Sequence, residues 1–346
     1  MCILRINIKE STMLILGIES SCDETGLALY SEDHGLIAHL VNSQIDLFTE
    51  YGGVIPEIAA RDHSAKIIGI LKQLLKQTDH NLEDINLIAY TAGPGLIGSL
   101  MIGETVAKTI ANVLNIELLP INHLEGHILA PGLEEGGLEP PYLCLLVSGG
   151  HTQIIRCDDY GEYKIIGETI DDACGEAFDK VGKLLNLEYP GGPKVSKLAE
   201  NGDSKRFKFP RAMMKDKNLN FSFSGLKTSV LYALEDLNEE DHADVAASFQ
   251  EAVIDALTTK LMWAVQDTKI HKLVCSGGVA SNKLLRDRLK QMAANNNLEV
   301  SYPRMEFCTD NAAMIAYAGF IRKKFKLPTY PTNFARPRWP LGELYD

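Results

Sequence analysis

Two stretches of the chain share one pattern: an apolar run, a turn that is polar or rich in glycine, and a second apolar run. These three parts lie at residues 14–18, 19–25 and 26–30 in the first stretch, and at 142–147, 148–152 and 153–155 in the second. Each pattern predicts a β-hairpin whose turn can offer N–H groups and oxygens to a phosphate and its metal. Because both halves of the chain carry such a hairpin, the sequence predicts a duplicated fold with a cleft between the halves.

Helical periodicity and glycine turns organise the rest of the chain. Helices are predicted at residues 56–75, 123–129, 171–185 and about 241–268, another is predicted to run from the turn at 91–100 through residue 110, and a tight loop is predicted at 189–193. The glycine-rich turns at 91–100 and 276–282 each follow a strand and open a helix, a junction that aims free N–H groups at an anion. The turn at 91–100 is neither a Walker motif nor GxGxxG. We place a domain boundary near 120–140, where glycine and proline become frequent.

His123 and His127 are the most specific chemical signal in the sequence. Histidines four residues apart lie on one face of a helix, close enough to bind one metal ion. Glu125 is about 200° around the helix from His123, at roughly 100° per residue, so it points away from such an ion. A zinc-protease helix instead reads His-Glu-x-x-His, with its general base beside the first histidine. The pattern therefore indicates a metal-binding pair without a hydrolytic base, and a surface or helix-capping histidine pair is the alternative.

The composition is that of an ordinary globular protein. The chain has 346 residues, 45% hydrophobic and 23% charged, and this length favours two domains. No apolar run approaches the roughly 20 residues of a membrane span. Residues 1–12 lack the architecture of a signal peptide, and we expect them to be an upstream extension before a natural start at Met13. Seven cysteines without a CxxC pair predict reduced thiols in a cytoplasmic protein.

Charge is distributed unevenly over this acidic chain, whose formal net charge is −12. Residues 194–217 contain eight lysines and arginines against three acids, and further basic residues lie at 322–326 and 336–338. A solvated surface explains any single run of this kind. Two basic stretches on an acidic chain also indicate a local site for a polyanion.

Nine motifs in a fixed order carry a resemblance to a known family. They are ESSCDET, TAGPGLIGSL, HLEGH, LVSGGHTQ, DDACGEAFDKVGKLL, YPGGP, FSFSGLKT, CSGGVASN and CTDNAAMIAYAG. This set resembles the universal tRNA threonylcarbamoyladenosine-forming transferase family, once described as sialoglycoprotein endopeptidases. The resemblance runs from about residue 14 to residue 341, and the ending at 336–341 is similar to the bacterial branch.

The resemblance implies an α/β fold of the actin/Hsp70/sugar-kinase type, with two ribonuclease-H-like lobes and a nucleotide cleft between them. We expect the extension at 1–12, the first lobe at 13–122 with a segment at about 322–346 returning to it, and the second lobe at 123–321. The implied reaction transfers a threonylcarbamoyl group from threonylcarbamoyl-AMP to N6 of adenosine 37, in tRNAs that read codons beginning with A.

The family's metal ligands correspond to His123, His127 and Asp310. Two imidazoles and a carboxylate suit one divalent ion, with iron favoured and zinc as the alternative. Another branch of the family has a tyrosine just before its Val-Ser-Gly-Gly segment, where this chain has Leu146, so a phenolate ligand is not expected. Asp310 has a second interpretation, because an aspartate near a helix start is most often an N-cap.

The resemblance also implies a set of substrate-binding residues. Contacts with the adenylate are expected from Leu146, Val147, Ser148, Gly149, Gly150, Asp179, Gly192 and Asn282. ATP or ADP is a further expected occupant of that site. Ser21, Asp23 and Glu24 are expected to face the same cleft, and the two acids are the candidate general bases for adenosine N6. Exposed turn acids are the alternative for both.

The expected partners are tRNA, an inactive paralogue subunit, a P-loop ATPase subunit and a separate synthase that supplies the donor, with no membrane partner. We expect the basic stretch at 194–217 to bind the tRNA backbone. Three other functions are considered. A metalloprotease is disfavoured because Glu125 is misplaced, a small-molecule kinase of the same fold rarely needs a histidine pair, and a non-catalytic scaffold would not retain all the motifs.

Overall fold

The computed structural model describes residues 13–215, 217–330 and 334–344. The predicted extension at 1–12 lies outside the described residues, as does part of the segment predicted to return to the first lobe. Among the described helices, none has both the length and the apolar character that crossing a membrane requires.

The first lobe contains a five-stranded sheet. Its strands are β1 (Leu14–Glu19), β2 (Glu24–Ser31), β3 (Gly35–Ser43), β4 (Leu87–Gly93) and β5 (Glu117–Asn122). They are ordered β3-β2-β1-β4-β5, with the first three antiparallel and β1, β4 and β5 parallel. Strands β1 and β4 are buried along their whole length, which explains their continuous apolar sequences.

The second lobe repeats this arrangement. Its strands are β6 (Tyr142–Val147), β7 (Thr152–Asp159), β8 (Glu162–Glu168), β9 (Lys272–Ser276) and β10 (Glu299–Ser301). The order β8-β7-β6-β9-β10 matches the first sheet strand for strand, with antiparallel and parallel pairs in the same places. The duplicated fold predicted from the two hairpins is therefore confirmed.

Ten α-helices are assigned within the described residues. They are α1 (Ile45–Thr49), α2 (Pro56–Thr78), α3 (Ile97–Leu114), α4 (His123–Leu129), α5 (Cys174–Leu184), α6 (Gly191–Ala199), α7 (Ser224–Leu234), α8 (His242–Thr268), α9 (Lys283–Asn296) and α10 (Ala312–Lys324). The predicted helix at 171–185 begins three residues late. Asp171 instead accepts hydrogen bonds from the backbone and hydroxyls of residues 222–224, which holds the preceding segment out of the helix.

Helix α10 packs against the first sheet, on β1, β2 and β4. Gly17 permits this close approach, because a Cβ atom there would lie 2.4 Å from the carbonyl oxygen of Ala312. The expectation that the second lobe extends to residue 321 therefore needs correction, since residues 312–321 lie on the first lobe. We propose that the chain returns to the first lobe at about residue 312, directly after Asp310.

Candidate metal and nucleotide site between the lobes

The histidine pair lies where β5 ends and α4 begins. The side-chain oxygen of Asn122 accepts hydrogen bonds from Leu124 N at 2.9 Å and Glu125 N at 3.4 Å, and so caps the short helix. His123 and His127 are 8% and 1% exposed, and their ring centroids are 4.7 Å apart. The predicted helix thus places both imidazoles side by side in a buried position.

Asp310 reaches the histidines from the other end of the sequence. Its Oδ1 lies 3.0 Å from Nε2 of His127 and 3.4 Å from Nε2 of His123. One potential ligand atom from each of the three residues lies within 4.8 Å of the others. The N-cap of α10 is the next residue, Asn311, which accepts from Met314 N at 3.0 Å. The N-cap interpretation of Asp310 is therefore wrong, and its carboxylate is available for other chemistry.

These three residues fit a divalent cation. Two imidazole nitrogens and a carboxylate oxygen form a donor set that iron and zinc both accept. Nδ1 of His127 is buried and has no hydrogen-bond partner among the described residues, so the ring is held from its Nε2 side alone. Burial disfavours a charged ring at His123, but Asp310 and Glu19 outweigh it and raise the pKa of His123 well above its ordinary value. Asp310 and Glu19 therefore favour a positively charged group at the position of the His123 ring.

Glu19 forms a second layer behind His123, which the motifs did not reveal. Nδ1 of His123 lies 3.1 Å from a carboxylate oxygen of Glu19, which also accepts from the hydroxyl of Thr91 at 2.6 Å. Burial raises the pKa of Glu19, but His123 outweighs burial and the net pKa is lowered. Such a carboxylate fixes the tautomer that leaves Nε2 free for a metal. Glu19 ends an apolar strand, and that position was its only signal in the sequence.

Glu125 points away from the histidine pair, as its helical angle predicts. It is fully buried and lies 3.0 Å and 3.2 Å from Nη1 of Arg322, while the hydroxyls of Tyr330 and Tyr163 donate to it at 2.6 Å and 3.1 Å. These partners join α4 to α10, to the C-terminal segment and to β8. Glu125 is the only glutamate in the motif at residues 123–127, and it has a structural role. A zinc-protease mechanism therefore lacks its general base.

A cleft of about 1160 Å³ opens between the lobes beside the metal-ligand candidates. Most of the predicted site residues line it, namely Asp23, Glu24, His123, Ser148, Gly149, Gly150, Asp179, Gly192, Asn282 and Asp310. Leu146 and Val147 do not. Both lie within β6 and are fully buried, with side chains in the hydrophobic cores of the two lobes. Because both side chains are buried, the predicted contacts of these two residues with the adenylate would involve backbone atoms and stay a prediction; in this part of the chain, the residues that line the cleft start at Ser148.

Asp179 and Asn282, which are predicted to bind the nucleotide, form hydrogen bonds with neighbouring residues of the cleft wall. Oδ1 of Asp179 accepts from the backbone of Gly191 at 2.8 Å and Gly192 at 3.1 Å, at the start of α6. Burial raises the pKa of Asp179. Asn282 caps α9 through Leu285 N at 3.0 Å and donates to Gln250 at 2.7 Å. Asp179 retains one carboxylate oxygen for a sugar hydroxyl, whereas the polar atoms of Asn282 serve mainly to shape the wall.

The family is established by comparison with known proteins. The family model "TsaD: tRNA N6-adenosine threonylcarbamoyltransferase" matches residues 35–317. A curated relative named tRNA N6-adenosine threonylcarbamoyltransferase, from Methylobacillus flagellatus, is 50% identical over 336 residues, which cover 96% of this chain and 99% of the relative. The chain belongs to this family. The resemblance carried by the nine motifs is confirmed.

Solved structures confirm the fold class of this member of the threonylcarbamoyltransferase family. Full-length HypF, crystallised in a phosphate- and nucleotide-bound form, aligns with a TM-score of 0.63 at 13% identity, over 91% of this chain and 47% of HypF. Component A of the (R)-2-hydroxyglutaryl-CoA dehydratase of Acidaminococcus fermentans aligns with a TM-score of 0.51 at 13% identity, over 88% and 96% of the two chains. The chain thus spans about half the length of HypF. Both neighbours support the predicted actin/Hsp70/sugar-kinase architecture.

The acidic turn between β1 and β2 lines the cleft with Asp23 and Glu24. Burial, together with Asp310 and Asp23, raises the pKa of Glu24 well above its ordinary value. His63 on α2 holds this turn: its Nε2 lies 3.0 Å from the carbonyl oxygen of Cys22, and its Nδ1 lies 2.7 Å from the hydroxyl of Thr25. His63 could not be identified from the sequence, because a single buried histidine on a helix carries no motif.

We predict that His63 makes stability depend on pH. Burial lowers the pKa of His63, so the folded chain holds this ring neutral while an unfolded chain protonates it near pH 6.5. A depressed pKa contributes stability above the unfolded value, and that stability is lost as the pH falls below it. The free energy of unfolding, measured with urea at pH 7.5 and pH 5.5, should fall less for His63→Gln than for the wild type. An equal fall in both proteins would contradict this assignment.

Ion pairs neutralise part of the basic stretch at 194–217. Arg206 lies 2.6 Å from Asp241 and 2.7 Å from Asp244, and Arg211 lies 3.1 Å from Asp255. Several lysines of the stretch are instead exposed and form no ion pair within the described chain, namely Lys197, Lys205, Lys208, Lys215 and Lys217. Lys197 also lines the cleft. The positive charge for binding a polyanion therefore comes mainly from these exposed lysines, because Arg206 and Arg211 are paired with aspartates.

Proposed function

We propose that the chain transfers the threonylcarbamoyl group of threonylcarbamoyl-AMP to N6 of adenosine 37, in tRNAs that read codons beginning with A. One observation carries the proposal: in a chain of this family, His123, His127 and Asp310 converge, and His123 and Asp310 line a cleft large enough for an adenylate. The N6 amine attacks the carbamoyl carbon, the bond from that carbon to the phosphate oxygen breaks, and AMP leaves.

The donor is proposed to lie across the glycine turns of the second lobe. The backbone of Ser148, Gly149 and Gly150 is directed to its phosphoryl group, and Asp179 with Gly192 to its ribose. These residues line the same cleft as His123 and Asp310. Such an arrangement holds the acyl group between the nucleotide pocket and the metal-ligand candidates, so binding of the adenylate would position the carbonyl for attack.

One divalent ion, iron in preference to zinc, is proposed to be held by the three ligands. When bound, it supplies Lewis-acid polarisation of the carbonyl under attack. Glu19 orients the ring of His123, and Asp23 or Glu24 accepts the proton that N6 loses. Glu24 lines the cleft, and its raised pKa makes its carboxylate a stronger base in the ionised state.

Other components are proposed to complete the activity. A separate synthase supplies the unstable donor, and an inactive paralogue with a P-loop ATPase supports repeated turnover in the cytoplasm. The purified chain alone should then modify tRNA slowly, and adding both partner subunits should raise the rate. Full multiple turnover by this chain alone would contradict their role but not the transfer reaction itself.

We predict that the exposed lysines bind the tRNA backbone. Replacing Lys205, Lys208 and Lys215 by glutamine should weaken tRNA binding and lower the slope of log Kd against log salt by about one for each phosphate that is no longer neutralised. Filter binding across a salt series measures both quantities. Arg206→Gln is the matched control, because its guanidinium already pairs with two aspartates. An unchanged salt slope in the triple variant would remove these lysines from the tRNA interface.

The acceptor position tests the proposed function. The chain is incubated with threonylcarbamoyl-AMP, both partner subunits and one of two tRNAs that differ only in carrying adenosine or guanosine at position 37. Nucleosides from the digested tRNA are then separated and identified by mass spectrometry. The modified nucleoside should form only with adenosine at this position, and its formation at any other adenosine would require a different acceptor.

A further inference from the structure

Arg286 joins two walls of the cleft through neutral acceptors. Its Nε donates to the carbonyl oxygen of Ala280 at 2.7 Å, and its Nη2 donates to the carbonyl oxygen of Pro303 at 3.1 Å and to Sγ of Cys308 at 3.2 Å. The guanidinium also lies over the ring of Tyr302, 4.9 Å from its centroid. The Arg286 side chain therefore contacts both the turn that precedes α9 and the segment that leads to Asp310.

The first wall is the turn that connects β9 to α9. Ala280 lies in its short 3-10 helix, Gly278–Ser281, and Gly278, Val279 and Ser281 line the cleft. The turn has little freedom at its start, because Gly277 has a φ of +92° and a Cβ atom there would lie 2.4 Å from the carbonyl oxygen of Val147. The end of the turn, where Ala280 accepts from Arg286, borders the cleft through Val279 and Ser281.

The second wall is the segment that leads to Asp310. Pro303 and Cys308 flank the 3-10 helix Met305–Phe307, and Met305 and Thr309 line the cleft. Asp310 follows two residues after Cys308. A group that fixes Pro303 and Cys308 therefore also restricts where the Asp310 carboxylate can lie.

The position of Arg286 is difficult to explain by stability alone. It lies in the first turn of α9, where the helix dipole disfavours a cation, and no described carboxylate forms an ion pair with it. Arg288, two residues later on the same helix, pairs with Glu251 at 2.7 Å in the ordinary way. The planar fork of the arginine donates to these acceptors from two separate nitrogens, Nε and Nη2, whereas a lysine carries all its donors on one nitrogen.

We propose that Arg286 is a positioning residue that couples occupation of the nucleotide turn to the position of Asp310. A bound adenine nucleoside then raises the affinity of the metal site, and the ion raises the affinity for the nucleoside by the same factor. The inference rests on the proposed function, because it takes the adenylate to lie against residues 277–282. In this proposal, Arg286 brings Asp310 into position at the metal site when the donor is bound.

Cobalt(II) titration with adenosine tests this coupling. Metal-free full-length chain is titrated with Co²⁺ in the presence and absence of excess adenosine, and the visible absorption of the bound ion gives its dissociation constant. Adenosine has no phosphate that could touch the ion, so its effect must pass through the protein. We expect adenosine to tighten Co²⁺ binding about tenfold in the wild type, within the usual range of such couplings.

Variants of α9 locate the coupling. Arg286→Met should bind Co²⁺ with the same affinity whether or not adenosine is present, and Arg288→Met should keep the tenfold effect. Arg286→Lys retains the charge and should also lose the effect, which provides the test if the methionine variant does not fold. The proposal is overturned if adenosine leaves Co²⁺ binding unchanged in the wild type, or if either Arg286 variant retains the coupling.

The tRNA modification assay separates this inference from the proposed function. If the wild type forms the modified nucleoside but adenosine has no effect on Co²⁺ binding, the coupling is wrong and the transfer reaction stands. If no modified nucleoside forms under any condition, the proposed function fails, whatever the titration shows.

Discussion

Asp310→Ala should lose its bound ion and form the modified nucleoside about a thousandfold more slowly than the wild type. A bound metal contributes several kcal/mol of charge stabilisation, and each 1.36 kcal/mol corresponds to tenfold in rate. The carboxylate is the only group among the described residues that contacts Nε2 of both His123 and His127, so its removal leaves two neutral rings to hold a cation. His127→Ala should behave in the same way, because it removes one of the three ligands.

Metal content and reaction rate must be measured on the same preparations. Elemental analysis after dialysis should give one iron or zinc per chain in the wild type and much less in Asp310→Ala. Asp287→Ala is a matched control, since Asp287 also lines the cleft but is absent from the metal-ligand group. An Asp310→Ala protein that retains one ion per chain, or keeps the wild-type rate, would show that the ion lies elsewhere.

Glu125→Leu should lower the free energy of unfolding by about 3–5 kcal/mol. Its carboxylate is fully buried, and Arg322, the cation it pairs with, is only 3% exposed. Removing one partner of a buried ion pair leaves the other charge in a poorly solvated place, which is the costly outcome. Tyr163 and Tyr330 would also lose the acceptor of their hydroxyl groups.

A second substitution separates the effect of the buried charge from that of altered packing. In the double variant Glu125→Leu with Arg322→Met, the buried charge of Arg322 is also removed, and most of the stability should return. Glu176→Ala provides a surface comparison, because Glu176 pairs with Lys180 one helical turn away and such exposed pairs contribute less than about 1 kcal/mol. Urea denaturation measures the wild type and all three variants. A Glu125→Leu cost below about 1 kcal/mol would mean that solvent reaches Arg322.

The parts of the fold that follow from local sequence were predictable. The two hairpins, the glycine turns and the helix that carries His123 and His127 each depend on neighbours within a few residues. The placement of α10 could not be predicted in this way. Eleven of its residues are buried, so its sequence shows no polar face, and contacts with β1, β2 and β4, all distant in sequence, determine which lobe it joins.

The candidate site also contains features that local sequence predicts and features that it does not. The spacing of His123 and His127 is visible in five letters, but Asp310 is 183 residues from His127 and only the family resemblance connected them before the fold was known. Glu19 looked like the end of an apolar strand because its partners, His123 and Thr91, come from the β5–α4 junction and from β4. The burial of the Leu146 and Val147 side chains could not be predicted, because a motif does not distinguish the buried end of a strand from the turn that follows it.

The most direct test is the balance between donor consumed and tRNA modified. Threonylcarbamoyl-AMP labelled in its carbamoyl carbon is incubated with the chain, its partner subunits and unmodified tRNA, and both AMP and labelled tRNA are counted. We predict one label at adenosine 37 for each AMP released, and transfer about a thousandfold slower when Asp310 is replaced by alanine. Release of AMP with free threonine and no label on the tRNA would contradict the proposed transfer, because the chain would then only hydrolyse the donor.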